Sequence, residues 1–157
     1  MGVLDRMSER CRSGCACFTI VRDEPIFLPL WHKHYARHFQ PKDIFLLHHV
    51  ASDDEVPADA FADAIALFDP ANVTTLVYAD FDPCWLREVV TSKLGSLLEA
   101  YEAVVFAEVD EMLVCTAEDL REFVSRFLAS PISTVRCVGR ELHHDFSSEL
   151  SLGPRHL

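Results

Sequence analysis

Short runs of β-branched and aromatic residues alternate along this chain with stretches whose apolar residues recur at helical spacing. That alternation restricts the chain to an α/β fold with a mostly parallel central sheet, because strands separated by helices cannot pair as hairpins. Strands are expected over residues 16–22, 44–48, 73–78, 103–109 and 133–138. Helices are expected over 25–39, where Pro25 suits the first turn and Pro41 stops the run, and over 58–68. Asp82 followed by Pro83 reads as a cap and first helical residue, and Trp85, Val89, Val90, Leu94, Leu97, Leu98 and Tyr101 keep helical spacing behind them. Thr116 and Asp119 match a capping box for a helix ending near Ala129.

The 157 residues suffice for one domain with a core, and half of them are hydrophobic. A single domain over 1–157 is expected, with residues 1–15 irregular. No run approaches the ~20 apolar residues of a membrane span. The opening residues mix Asp5, Arg6, Glu9 and Arg10, unlike a secretory signal. These features read as a soluble, cytoplasmic chain with no transmembrane segment. The net charge of -11 argues against nucleic acid as a partner, since phosphate backbones are gripped by Lys and Arg. It also means that a bound diphosphate would need a cation to bridge it to the protein.

Six cysteines are present. Cys84, Cys115 and Cys137 lie in apolar stretches and are expected as buried thiols. Cys11, Cys15 and Cys17 lack a second ligand pair of suitable spacing, so no zinc site is expected there. The strongest local feature is Val104-Val105-Phe106-Ala107-Glu108-Val109-Asp110-Glu111, an apolar strand running into three acids. Residues two apart on a strand point the same way, so Glu108 and Asp110 are expected to share one face and Glu111 to face the other. Carboxylates at the carboxyl end of an α/β strand stand where such sheets bind ligands, and their hard oxygens suit Mg²⁺ or Mn²⁺.

That segment resembles the D-x-D-E motif of GT-A glycosyltransferases, in the form found in family 2. The resemblance implies a GT-A-like three-layer sandwich, a nucleotide-sugar donor, and Mn²⁺ or Mg²⁺ held at Asp110. Glu111 matches the acid that follows. Glu108 stands where the family has its first Asp, which contacts the ribose or a metal-bound water. Its extra methylene displaces the carboxylate by about an ångström, a shift that can cost ~10²-fold in rate.

Three further segments are similar to the same family. Phe18 to Pro25, with Leu28, Trp31 and His34-Tyr35, resembles the family opening, in which a strand ends beside the nucleotide. This implies nucleotide contacts from Arg22 and Glu24, with Asp23 beside them; Asp23 and Glu24 equally suit a helix N-terminus. Ile44 to His49, followed by Ser52, Asp53 and Asp54, resembles the second strand and its acidic loop, implying a nucleoside contact from Asp53 or Asp54. His48 and His49 read as surface residues. Lys93 stands where the family often carries a Lys that meets the diphosphate, though a solvated helix-face Lys explains it as well. Val135 to His144 resembles a late strand leading to a His, implying His144, or His143 with one residue of slip, as a further metal ligand.

The resemblance spans residues 17–149. Catalytic domains of the family run on to shape the acceptor site, so an incomplete acceptor part is expected. The implied reaction is inverting transfer of a sugar to a hydroxyl of a glycan, lipid or protein acceptor, with Asp145 or Glu149 as the base by position. The alternative is a non-catalytic nucleotide-sugar-binding or inactive member, favoured by Glu108 and the short C-terminal part. Asp80-Phe81-Asp82 also resembles the strand-terminal D-x-D of haloacid-dehalogenase-like phosphatases, but Pro83 and Cys84 depart from that pattern and Asp82 suits a helix cap.

Overall fold

The computed structural model describes residues 13–79, 82–133, 135 and 137–140. Within them β1 (Ser13–Val21), β2 (Ile44–Val50), β3 (Val73–Val77) and β4 (Tyr101–Phe106) form one sheet in the order β3-β2-β1-β4. Every pairing is parallel. The helices are α1 (Phe27–Tyr35), α2 (Asp59–Ile65), α3 (Pro83–Leu98) and α4 (Leu120–Leu128). The α/β class with helices on both sides of a parallel sheet is thus as the alternating pattern predicts.

Strand alternation divides the core in two. One sheet face carries Cys17, Val21, Ile44 and Leu46 and packs against Leu28, Trp31 and Tyr35 of α1, Phe61 and Ala64 of α2, and Leu120 of α4. The other carries Ala16, Phe18 and Leu47 and packs against Val89, Val90, Leu94 and Leu97 of α3. The right-handed crossover rule explains this split. The chain steps outward from β1 to β3 with α1 and α2 on one face, and its return to β4 requires α3 on the other. β1 and β2 are therefore covered on both sides and read as continuous apolar runs. Trp31, Tyr35, Phe18 and Phe61 are fully buried, each worth about 1.5–3 kcal/mol of apolar transfer.

Several boundaries differ from the sequence reading. β1 begins at Ser13, inside the stretch expected to be irregular, because residues 13–18 pair with β4. Regular α1 starts at Phe27, after Pro25, with no side-chain cap at Ile26. Pro29 sits in its first turn, where a missing N–H costs no helical bond. α3 ends at Leu98 rather than near Tyr101, since Tyr101 opens β4 and donates its hydroxyl hydrogen to Asp43 Oδ1 at 2.9 Å. α4 is capped by Asp119, which accepts from Arg121 N at 2.8 Å, and not by Thr116. The fifth strand expected over 133–138 is not formed by Ser133, Val135, Cys137 or Val138; Thr134 and Arg136 lie outside the described residues.

Candidate functional site

The strand order places one topological switch point in the sheet, between β1 and β4. The chain leaves β1 toward β2 on one side and returns to β4 on the other. Ligands of open α/β sheets bind outside the carboxyl ends of the strands at such a point, where the two following loops diverge and leave a crevice. Phe18 lies in register with Phe106, so the ends of β1 and β4 are adjacent. The segments that leave them there are Arg22-Asp23-Glu24 and Glu108-Val109-Asp110-Glu111. The fold therefore brings to one edge two segments separated by more than eighty residues of sequence.

The acids do not continue the strand. β4 stops at Phe106, Ala107 N still donates to Phe18 O at 3.4 Å, and Glu111 N donates to Glu108 O at 2.9 Å to close a turn. The strand-face alternation expected for Glu108, Asp110 and Glu111 does not apply, and all three are exposed. A carboxylate continuing β4 would be drawn into a sheet covered on both faces, at a desolvation cost that turning outward avoids. Val109 and Leu113 pack instead against the α1 side of the core.

The turn is held by α1. His34 Nε2–H donates to Leu113 O at 2.9 Å, which fixes the tautomer, and Leu113 N–H donates to the Tyr35 hydroxyl at 3.0 Å. Both backbone polar groups of Leu113 are thus held by the adjacent residues His34 and Tyr35. Burial pushes the Tyr35 hydroxyl up to about 12, so it stays protonated. Just past the end of α1, His38 Nδ1 lies 3.3 Å from Asp119 Oδ2 and the His38 carbonyl accepts from Arg121 Nε, so the segment after α1 anchors the start of α4. The Arg121 N–H at Asp119 and the nearby His38 hold the Asp119 carboxyl below its usual range.

Other expected residues fall elsewhere. Lys93 lies with Nζ 4.8 Å from the centre of the Phe45 ring, near the start of β2. It is at the amino end of the sheet, opposite the acids, and burial lowers its pKa. Antiparallel packing of α3 on the strands causes this: ten residues past the helix start, the chain has travelled ~15 Å toward the far end. Asp53 and Asp54 are exposed in the turn after β2. His144, Asp145 and Glu149 lie outside the described residues, as do Asp80 and Phe81. Asp82 caps α3, accepting from Cys84 N at 2.9 Å.

His48 and His49 are not surface residues; they are 8% and 3% exposed. β2 is an interior strand, and its last turns of the pleat send His48 against Phe61 and His49 against Trp85. His49 Nε2–H donates to Tyr78 O at 2.8 Å. Burial lowers the His48 pKa, opposed by the nearby Glu55 and Asp23 carboxylates. Cys84 and Cys137 are exposed and Cys115 is half-buried, against the expectation of three buried thiols; Cys84 lies in the solvent-facing first turn of α3.

His48 forms part of a cleft of about 50 Å³ with Arg22, Asp23, Glu55, Pro57 and Phe61. The guanidinium of Arg22 stands 3.9 Å from Glu55, whose same oxygen accepts from Ala51 N. Glu55 carries no signal of its own in the sequence, because the acidic run Asp53-Asp54-Glu55 marks a loop but not which carboxylate meets Arg22. Among the described residues no three His, Cys, Asp or Glu side chains are gathered as a metal-holding group. No helix of the described residues is long and apolar enough to cross a membrane. No protein-family model matches the chain, nor does any curated protein or solved structure.

Proposed function

We propose that the chain binds a nucleotide-sugar donor at the carboxyl edge of the sheet and transfers its sugar to an acceptor hydroxyl with Mn²⁺ or Mg²⁺. The observation that carries this reading is the switch point between β1 and β4, with Arg22, Asp23 and Glu24 on one side and Glu108, Asp110 and Glu111 on the other. A diphosphate approaching a chain of net charge -11 needs a counter-charge. Arg22 supplies one at the site. The exposed carboxylates supply oxygen ligands of the kind that bind Mg²⁺ through one or two carboxylates together with substrate phosphates, rather than in a closed protein cage. The absence of a gathered three-ligand group among the described residues is compatible with that mode of binding.

In this reading Asp110 holds the ion and Glu108 reaches the ribose or an ion-bound water. Glu24, Asp53 and Asp54 contact the nucleoside, and His144 completes the ion's ligands. Bound there, the ion offsets charge developing on the leaving diphosphate. Asp145 or Glu149 takes the acceptor proton, a role worth typically 10²–10⁴-fold, and the reaction inverts the sugar carbon. The GT-A likeness of the motifs supports this assignment, and the parallel sheet is the frame it needs. Lys93 is left out, because its end of the sheet faces away from the acids. The second reading, a nucleotide-sugar-binding chain without turnover, is favoured by Glu108 in place of Asp.

Calorimetric titration with nucleoside diphosphates, with and without Mn²⁺, tests both. Binding that requires Mn²⁺ and weakens at least about tenfold in Asp110→Ala is expected, given that even residues supporting a metal ligand are worth 10–100-fold. Binding without release of sugar from any donor selects the second reading. Absence of heat from a folded chain with every nucleotide refutes both.

A further inference from the structure

The cleft beside Arg22 is far smaller than a nucleotide. Its volume of about 50 Å³ compares with ~300–1,000 Å³ for sites that enclose a small organic ligand. Its outer wall is the loop between β2 and α2, through Glu55, Val56, Pro57 and Ala58, and its inner wall is Arg22, His48 and Val50. The two ends of the loop are fixed: Val50 is buried in β2, and Phe61, buried in α2, packs on His48. Between them Val56 is 85% exposed, an apolar residue with almost no cover. Glu55 ties the middle of the loop inward. One of its oxygens accepts from Ala51 N and lies 3.9 Å from Arg22, and Glu55 N donates to Ser52 O at 3.2 Å.

We propose that residues 51–58 are a lid over this edge of the sheet, latched by Glu55 on Arg22 and opened when an anionic ligand replaces the Glu55 carboxylate on the guanidinium. The ligand's identity rests on the donor reading above; the latch does not. The Glu55 carboxylate occupies the position that a phosphate oxygen would take on Arg22, so the free protein carries its own counter-ion there. The contact is long, its two side chains are 47% and 34% exposed, and one oxygen is shared with Ala51 N. Such a pair is weak, and a diphosphate with more charge and more acceptor oxygens displaces it readily.

The test labels Arg22 with an arginine-specific dicarbonyl reagent and reads the modified peptide by mass spectrometry. Glu55→Gln removes the charge but keeps an acceptor for Ala51 N, so hydrogen exchange at Ala51 stays as in the wild type and reports an intact loop. Labelling of Arg22 is expected to rise about two- to fivefold in that variant, the range a half-exposed ion pair spans. The affinity for uridine diphosphate with Mn²⁺ should rise by the same factor. Glu55→Ala, which loses both ties, should raise labelling at least as far and add exchange at Ala51. Equal labelling in the wild type and both variants overturns the latch. Increased labelling with no uridine diphosphate binding in any of the three supports the latch and refutes the donor reading.

Discussion

Replacing Tyr35 by Phe deletes one oxygen from a fully buried side chain and leaves the ring in place between Trp31, 4.4 Å away, and Phe39, 6.2 Å away. No cavity of consequence forms, so the perturbation is nearly confined to the hydrogen bond from Leu113 N at 3.0 Å. A typical internal hydrogen bond contributes ~0.5–1.5 kcal/mol net, and a buried N–H left without a partner costs ~1–3 kcal/mol. Leu113 is half-buried and water reaches part of it, so a loss of about 1–2 kcal/mol is expected. For a chain of this size that lowers Tm by roughly 2–8 °C. Urea unfolding followed by circular dichroism should show a lower midpoint at unchanged slope, since the surface exposed on unfolding is the same. The Leu113 amide should exchange faster, and Mn²⁺-dependent nucleotide binding should weaken with it if the turn positions Asp110. Because His34 holds the carbonyl of the same residue, His34→Ala combined with Tyr35→Phe should be non-additive. A Tyr35→Phe protein within about 0.3 kcal/mol of the wild type, a margin at which even independent sites scatter, would refute the reasoning if Leu113 exchange were also unchanged.

Alkaline pH should destabilise the fold through two groups, the half-buried Cys15 and the fully buried Tyr35. The Cys15 thiol is raised from 9.0 to about 12 and the Tyr35 hydroxyl from 10.0 to about 12, each chiefly by burial. Both folded-state values lie above the unfolded ones, so their contribution is full below pH 9 and is lost as the pH climbs toward 12. Urea midpoints should therefore fall across that window, and Cys15→Ala should flatten the first part of the decline; a level profile would contradict the burial of both groups. Asn72→Ala should cost about 1–2 kcal/mol, because Asn72 Nδ2 donates to Pro41 O at 3.1 Å and Ile44 O at 3.0 Å and ties the starts of β2 and β3 together. Asn72→Asp should be worse, as a carboxylate cannot donate to those carbonyls; equal midpoints for all three proteins would show the tie to be idle.

The sequence by itself determined the α/β class and located the four strands and four helices of the described residues, though not their ends or the expected fifth strand. Each strand is a short apolar run, and Asp82-Pro83 announces the start of α3 because the cap is a local bond between neighbouring residues. The acids after β4 were visible for the same reason: polar residues that end an apolar run need no partner elsewhere to be noticed. What depended on distant residues was not legible. Only tertiary structure decided that β4 starts at Tyr101 and ends at Phe106, since its limits follow from pairing with β1. Only the layering of α3 against the strands sent Lys93 to the far end of the sheet, and only the interior place of β2 buried His48 and His49. Asp119 won the α4 cap from Thr116 while lying beside His38 of the segment after α1. The sequence pattern showed His34-Tyr35 as a pair, but its hold on Leu113 spans nearly eighty residues and exists only when α1 lies against the turn. Local chemistry is written in neighbouring residues; which carboxylate meets which cation, Glu55 on Arg22 among them, is set by the fold that brings their strands to one edge.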